Sequence, residues 1–129
     1  MRALFIAFPL LLMAHFSNSL AASLYETVYS DCVQSFGTIN NSIVFQCSEK
    51  AIEMAEEDMQ IKIQRLRDTR LAKDFGAFLE AQRNWRNYSS IQCDLQTEYV
   101  GSPMFKYCPM MMLIDRHKEL DILLESLIP

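Results

Sequence analysis

The sequence predicts an all-α domain in which three long helices and a short N-terminal one pack as antiparallel neighbours, stapled by disulfides. Three observations carry that prediction. Apolar residues recur at three- and four-residue steps over long stretches, while Val, Ile and Thr form no alternating runs. Glycine and proline are scarce, 3 and 4 in 129 residues, which argues against a many-turned β-sandwich or a low-complexity chain. Four cysteines fall into two equally spaced pairs, Cys32 with Cys47 and Cys93 with Cys108.

The elements follow in chain order. Tyr25, Val28, Tyr29 and Cys32 share one face of a short helix over 24–33. Gly37 to Asn41 is rich in turn residues and ends it. A long helix should run over 42–67, because Val44, Cys47, Ala51, Ile52, Ala55, Met59, Ile63 and Leu66 form one stripe. Asn41 is its expected N-cap. Asp68-Thr69 is the expected turn before a second long helix over 71–97. In that helix Leu71, Phe75, Phe78, Leu79, Trp85 and Tyr88 give an aromatic face. Gly76 weakens its start by about 1 kcal/mol relative to Ala. Gly101-Ser102-Pro103 breaks the chain again, and a last helix covers 104–127 on a leucine stripe from Leu113 to Leu127. Pro109 should either kink that helix or begin it.

The first residues read as a leader rather than as fold. Met1-Arg2 precedes an uncharged apolar run over 3–16, then Ser17-Asn18-Ser19 and the small residues around Ala21. That is the order of a secretory signal, with cleavage expected after Ala21. The run is shorter than the roughly 20 residues a bilayer span needs, so no stable membrane anchor is expected after processing. No cysteine stands near the cleavage site to carry a lipid. The expected organisation is a signal peptide over 1–21 and one helical domain over 22–129, periplasmic or secreted.

An exported chain with an even number of cysteines reads as a disulfide framework. Three connectivities are open. Cys32–Cys47 with Cys93–Cys108 is favoured, because each pair would staple a local helical corner. Zinc is disfavoured by the absence of close C-x-x-C pairs.

The segment Ala81-Gln82-Arg83-Asn84-Trp85-Arg86-Asn87-Tyr88, followed by Cys93, resembles the A-Q-x-x-W-x-x-[YF]…C signature of the LprI-like family, small exported bacterial proteins named for a lysozyme inhibitor. Gly101-Ser102, Cys108, Arg116 and Glu119-Leu120 resemble its G-S…C…R-x-x-E-L pattern. Cys47 with the stretch from Ala55 to Ile63 resembles its C…A-D-x-x-L-N-x-x-Y helix. Met59, Gln60 and Ile63 depart from the family's Leu, Asn and Tyr, and Ser89-Ser90 from its Arg and acidic residue. The resemblance implies export, this fold and lysozyme inhibition. The motif residues Gln82, Trp85, Tyr88 and Arg116 are expected to be structural; Gln82 lies near the aromatic stripe, where a buried amide needs partners, so it is expected to join Arg116 in a polar contact between neighbouring helices.

The chemistry-bearing residues point away from catalysis. With the thiols in disulfides and the leader gone, His117 is the lone imidazole, read beside Arg116 and Lys118 as a solvated helix residue. Glu49, Glu53 and Glu57 repeat at four-residue steps on one helix face, not across a cleft as glycoside hydrolysis requires. A cell-wall glycan hydrolase would therefore lack an acid–base pair. Met104 and Met110 to Met112 suggest Cu(I), but consecutive methionines on a helix point in different directions, so packing is expected. The aromatic face is expected in the core rather than as a sugar platform. The sequons at Asn40 and Asn87 matter only in a eukaryotic secretory route, and the resemblance to a bacterial family implies no role for them. There is no phosphate loop or basic stripe, and the net charge of −4 excludes a general nucleic-acid binder. No cofactor or metal is expected.

What remains is an acidic surface formed by Glu49, Glu53, Glu56, Glu57 and Asp58, suited to a cationic partner. The expectation is a non-enzymatic binding protein. Its partner would be a cationic lysozyme, occluded sterically and electrostatically, or another envelope protein. In the second case the chain is a structural or stress-related interaction module without effect on lysozyme.

Overall fold

A computed structural model describes residues 23–127. The expected signal peptide over 1–21 lies outside them. The described chain forms α1 (Leu24–Phe36), α2 (Asn41–Arg67), a 3₁₀ turn (Arg70–Asp74), α3 (Phe75–Tyr99) and α4 (Met104–Leu127), with no strand among the described residues.

Local chemistry sets the ends. Ser23 caps α1 in a reciprocal box: its Oγ accepts from the Glu26 N–H at 3.2 Å, and the Glu26 carboxylate accepts from the Ser23 N–H at 2.6 Å. α1 closes on Gly37 at φ 65°, a left-handed position that suits glycine. The cap of α2 is Asn40, one residue before the expected Asn41: its Oδ1 accepts from the Ile43 N–H at 3.1 Å. Asn41 is thereby freed to donate to Ser102 Oγ at 2.9 Å, across to the start of α4.

The expected helix over 71–97 begins later, at Phe75, and reaches Tyr99. The Thr69 hydroxyl accepts from the Leu71 N–H at 3.2 Å, and the Thr69 carbonyl accepts from the Ala72 N–H at 3.0 Å. These tight bonds wind 70–74 as a 3₁₀ turn. α4 begins at Met104 and continues through Pro109, so the proline does not start it. The missing N–H would have served the carbonyl of Phe105, an exposed residue.

Consecutive helices run antiparallel, but the central pair, α2 and α4, is parallel. Glu49 meets Lys106, Ala55 meets His117 and Lys62 meets Asp121, in the same order along both helices. α1 lies in one groove between them, with Tyr25 reaching Asp58 and His117. α3 lies in the other, with Arg86 reaching Glu56 and Gln82 reaching Met59 and Arg116. Ser48, Ala51 and Ala55 are buried and small, which lets α2 and α4 approach closely. Met59, Leu66, Phe78, Met110, Ile114 and Leu120 fill the core. Met111 packs against it, so Met110 and Met111 of the methionine run serve packing.

Cys32 is bonded to Cys47 and Cys93 to Cys108, with Cα–Cα distances of 5.5 and 5.4 Å. The first joins α1 to α2, the second α3 to α4. Both lie at the end of the bundle where α2 and α4 begin.

Candidate functional site

The five carboxylates of α2 do not form one free patch. Glu56 accepts two bonds from the Arg86 guanidinium, at 2.9 and 2.7 Å. This bidentate pairing raises the arginine's affinity for its proton. Glu49 pairs with Lys106 at 3.0 Å. Asp58 turns toward α1 and accepts from the Tyr25 hydroxyl at 2.9 Å. Glu53 and Glu57 are exposed and make no ion pair among the described residues. One helical turn apart on the outer face of α2, they are the part of the acidic surface open to a partner.

The motif residues divide in a similar way. Gln82 is buried, and its Oε1 accepts from Arg116 Nε at 3.0 Å. Its amide nitrogen points at Met59 Sδ, 3.7 Å away, a weak acceptor. Trp85 is half-buried, with the guanidinium carbons of Arg116 and Arg86 at 5.7 and 5.8 Å from its ring centroid. The same arginines thus hold Gln82 and Glu56 and stack on the indole. Tyr88, expected on the aromatic core face, is 58% exposed. The core stripe of α3 runs Phe78, Gln82, Trp85, Ser89 and Cys93, and Tyr88 falls to one side of it.

His117 is not solvated as expected; it is 2% exposed. Its Nε2 lies 2.7 Å from the Ala55 carbonyl, which accepts only, so Nε2 carries the proton. Nδ1 faces the Tyr25 hydroxyl oxygen at 3.4 Å, and that hydroxyl donates to Asp58. Burial lowers the pKa of His117 against the opposing pull of the Ala55 carbonyl. Burial, then the Asp58 carboxylate, drives the Tyr25 hydroxyl's pKa upward. The charged neighbours Arg116 and Lys118 obscured the signal for burial. It was the spacing of His117 from Leu113, Ile114 and Leu120.

A shallow groove of about 480 Å³ opens where α2 and α4 begin, between Asn41, Phe45, Thr97 and Ser102. Phe45 and Phe105 stack on its wall, centroids 6.1 Å apart, with Lys106 Nζ over both rings. The sequence reading missed this pair, because each phenylalanine stands off its helix's apolar stripe.

The described residues present an acidic helix face and a shallow groove. All four cysteines are in disulfides, and His117 is enclosed in the core beside the Tyr25 hydroxyl. No group of three or more His, Cys, Asp or Glu side chains is placed to hold a metal among the described residues. No described helix is long and apolar enough to cross a membrane.

No curated protein and no solved structure matches the chain. The family model described as lysozyme inhibitor LprI matches residues 37–120, from the C-cap of α1 to Leu120 of α4, and includes Cys47 and the Cys93–Cys108 disulfide. The match takes in Gln82, Trp85 and Arg116, whose contacts tie α3 to α4, and the protein belongs to the LprI family.

Proposed function

We propose that the protein is an exported, non-enzymatic binding protein that inhibits a lysozyme by covering its cleft. The family match over 37–120 carries this reading. Two disulfides in a short chain fit an oxidising compartment outside the cytoplasm. Lysozymes are commonly cationic, and an acidic helix face steers such a partner and fixes its orientation. Glu53 and Glu57 are the residues for that contact. Glu49, Glu56 and Asp58 shape the surface through their pairs with Lys106, Arg86 and Tyr25.

The test is a titration of oxidised protein into a lysozyme turbidity assay, at low and high salt and with several lysozyme types. The expected result is saturating inhibition near one-to-one, weakened by salt and by Glu53→Lys with Glu57→Lys. Failure to inhibit any type would overturn the reading in favour of an envelope interaction module. A pull-down from envelope extract would then look for its partner.

A further inference from the structure

We propose that the end of the bundle where α2 and α4 begin is a membrane-contact tip, which seats Phe36, Ile39, Tyr99 and Val100 in the interfacial layer of a zwitterionic phospholipid bilayer. Two turns meet there, 37–40 between α1 and α2 and 100–103 between α3 and α4. The hydrogen bond from Asn41 to Ser102 ties them together. The four side chains are 48%, 64%, 78% and 68% exposed, and Phe45 and Phe105 are exposed beside them. A cluster of large apolar side chains in water marks a contact with lipid or with another macromolecule.

Three features select lipid. The chain is 22% charged, yet no Asp, Glu, Lys or Arg stands between Asp31 and Glu49 or between Glu98 and Lys106. A charge is costly in lipid but ordinary at the rim of a protein interface, so its absence from both turns favours lipid. The turns also satisfy much of their own backbone. The Gly37 N–H donates to the Gln34 carbonyl, Gly101 to Gln96, Met104 to Gly101 and Phe105 to Ser102, at 3.0–3.2 Å. Asn40 Oδ1 takes the Ile43 N–H. A protein partner can complete missing hydrogen bonds, and lipid tails cannot. Lastly, the apolar side chains crown two separate turns beside a groove of about 480 Å³. Fluid lipid conforms to such relief, whereas a rigid partner or a second copy needs a matching shape.

The nearest charges set the lipid class. Asp31, Lys50 and Glu98 are exposed around the tip, and Lys106 is paired with Glu49. They form no basic cluster to hold an anionic headgroup, and the net charge of −4 opposes one. Glu98, beside Tyr99, stands at headgroup level, where it stays hydrated. The contact is peripheral and apolar rather than a span. Glu53 lies a dozen residues past Asn41, roughly 18 Å along α2, so a seated tip leaves the acidic face open.

Flotation of the oxidised protein, as recovered after export, with phosphatidylcholine vesicles tests this. The expected result is binding that high salt leaves unchanged and added phosphatidylglycerol does not strengthen. Ile39→Asp with Val100→Asp, both at exposed turn positions, should keep the circular dichroism and weaken binding at least about tenfold. Ile122→Asp, equally exposed at the far end of α4, should bind as the parent does. No flotation, or flotation untouched by the turn substitutions, would overturn the proposal. So would binding that needs phosphatidylglycerol and is lost in salt. A lipid-free dimer in sedimentation velocity that the turn substitutions abolish would assign the tip to a second copy instead. Lysozyme turbidity reads the face of Glu53 and Glu57, so the two proposals fail separately.

Discussion

His117 of α4 donates its Nε2 proton to the backbone carbonyl of Ala55 in α2, 2.7 Å away, across the parallel helix pair at the centre of the bundle. Only a small residue at 55 lets an imidazole reach that carbonyl. The bond holds the ring with Nδ1 toward Tyr25 and Asp58, which ties three helices to one buried group.

Stability should therefore depend on pH below neutrality. Burial lowers the pKa of His117 from its ordinary 6.5, so the unfolded chain takes up the proton first. Above about pH 6.5 both states are neutral and nothing is lost. As pH falls from there toward the lowered folded pKa, stability declines. Urea midpoints between pH 7.5 and 5 should show this slope, and His117→Gln should flatten it.

Replacing Arg116 by Ala should cost about 1–3 kcal/mol, because the buried Gln82 oxygen loses its donor. The indole of Trp85 would also lose one of its two guanidinium neighbours. Chemical denaturation should report the loss, and the emission of Trp85, the single tryptophan, should shift red.

Ser48 is fully buried, and its hydroxyl has no hydrogen-bond partner among the described residues. Ser48→Ala removes an unsatisfied group and favours the helix. It should raise stability by about 1 kcal/mol, read as a higher urea midpoint with unchanged slope.

Glu53→Lys with Glu57→Lys should change stability by no more than about 0.5 kcal/mol, since both side chains are exposed and unpaired. A melting curve that matches the parent would assign any loss of lysozyme inhibition to contact rather than to scaffold. Larger destabilisation would count against using this pair as the surface probe.

Much of the architecture is legible in the sequence, because helix period and turn residues are local. The ends of α2 and α4 follow from Asn40-Asn41, Asp68 and Pro103. The start of α3 does not, because Thr69 satisfies its neighbours through 3₁₀ bonds that a helical stripe through Leu71 cannot distinguish. The parallel course of α2 and α4 is a matter of which grooves α1 and α3 occupy, and no single stripe records that. The acidic surface was legible only as composition. Whether a carboxylate is free depends on a partner from another helix: Arg86 takes Glu56 and Lys106 takes Glu49, while no described residue pairs with Glu53. His117 carried the opposite problem, since its flanking charges suggested water while its helical phase pointed inward.

Both covalent staples sit at the end of the bundle where α2 and α4 begin. The far end is held by weaker ties, among them Lys62 to Asp121 and Arg70 to the carbonyl of Ser126. Such a molecule has a riveted end and a fraying end. Amide hydrogen exchange should grade along its axis, slowest beside Cys47 and Cys108 and fastest through the 3₁₀ turn. A protease should nick first near Arg67 or Arg70, and α1 with α2 and α3 with α4 would remain as two bonded hairpins.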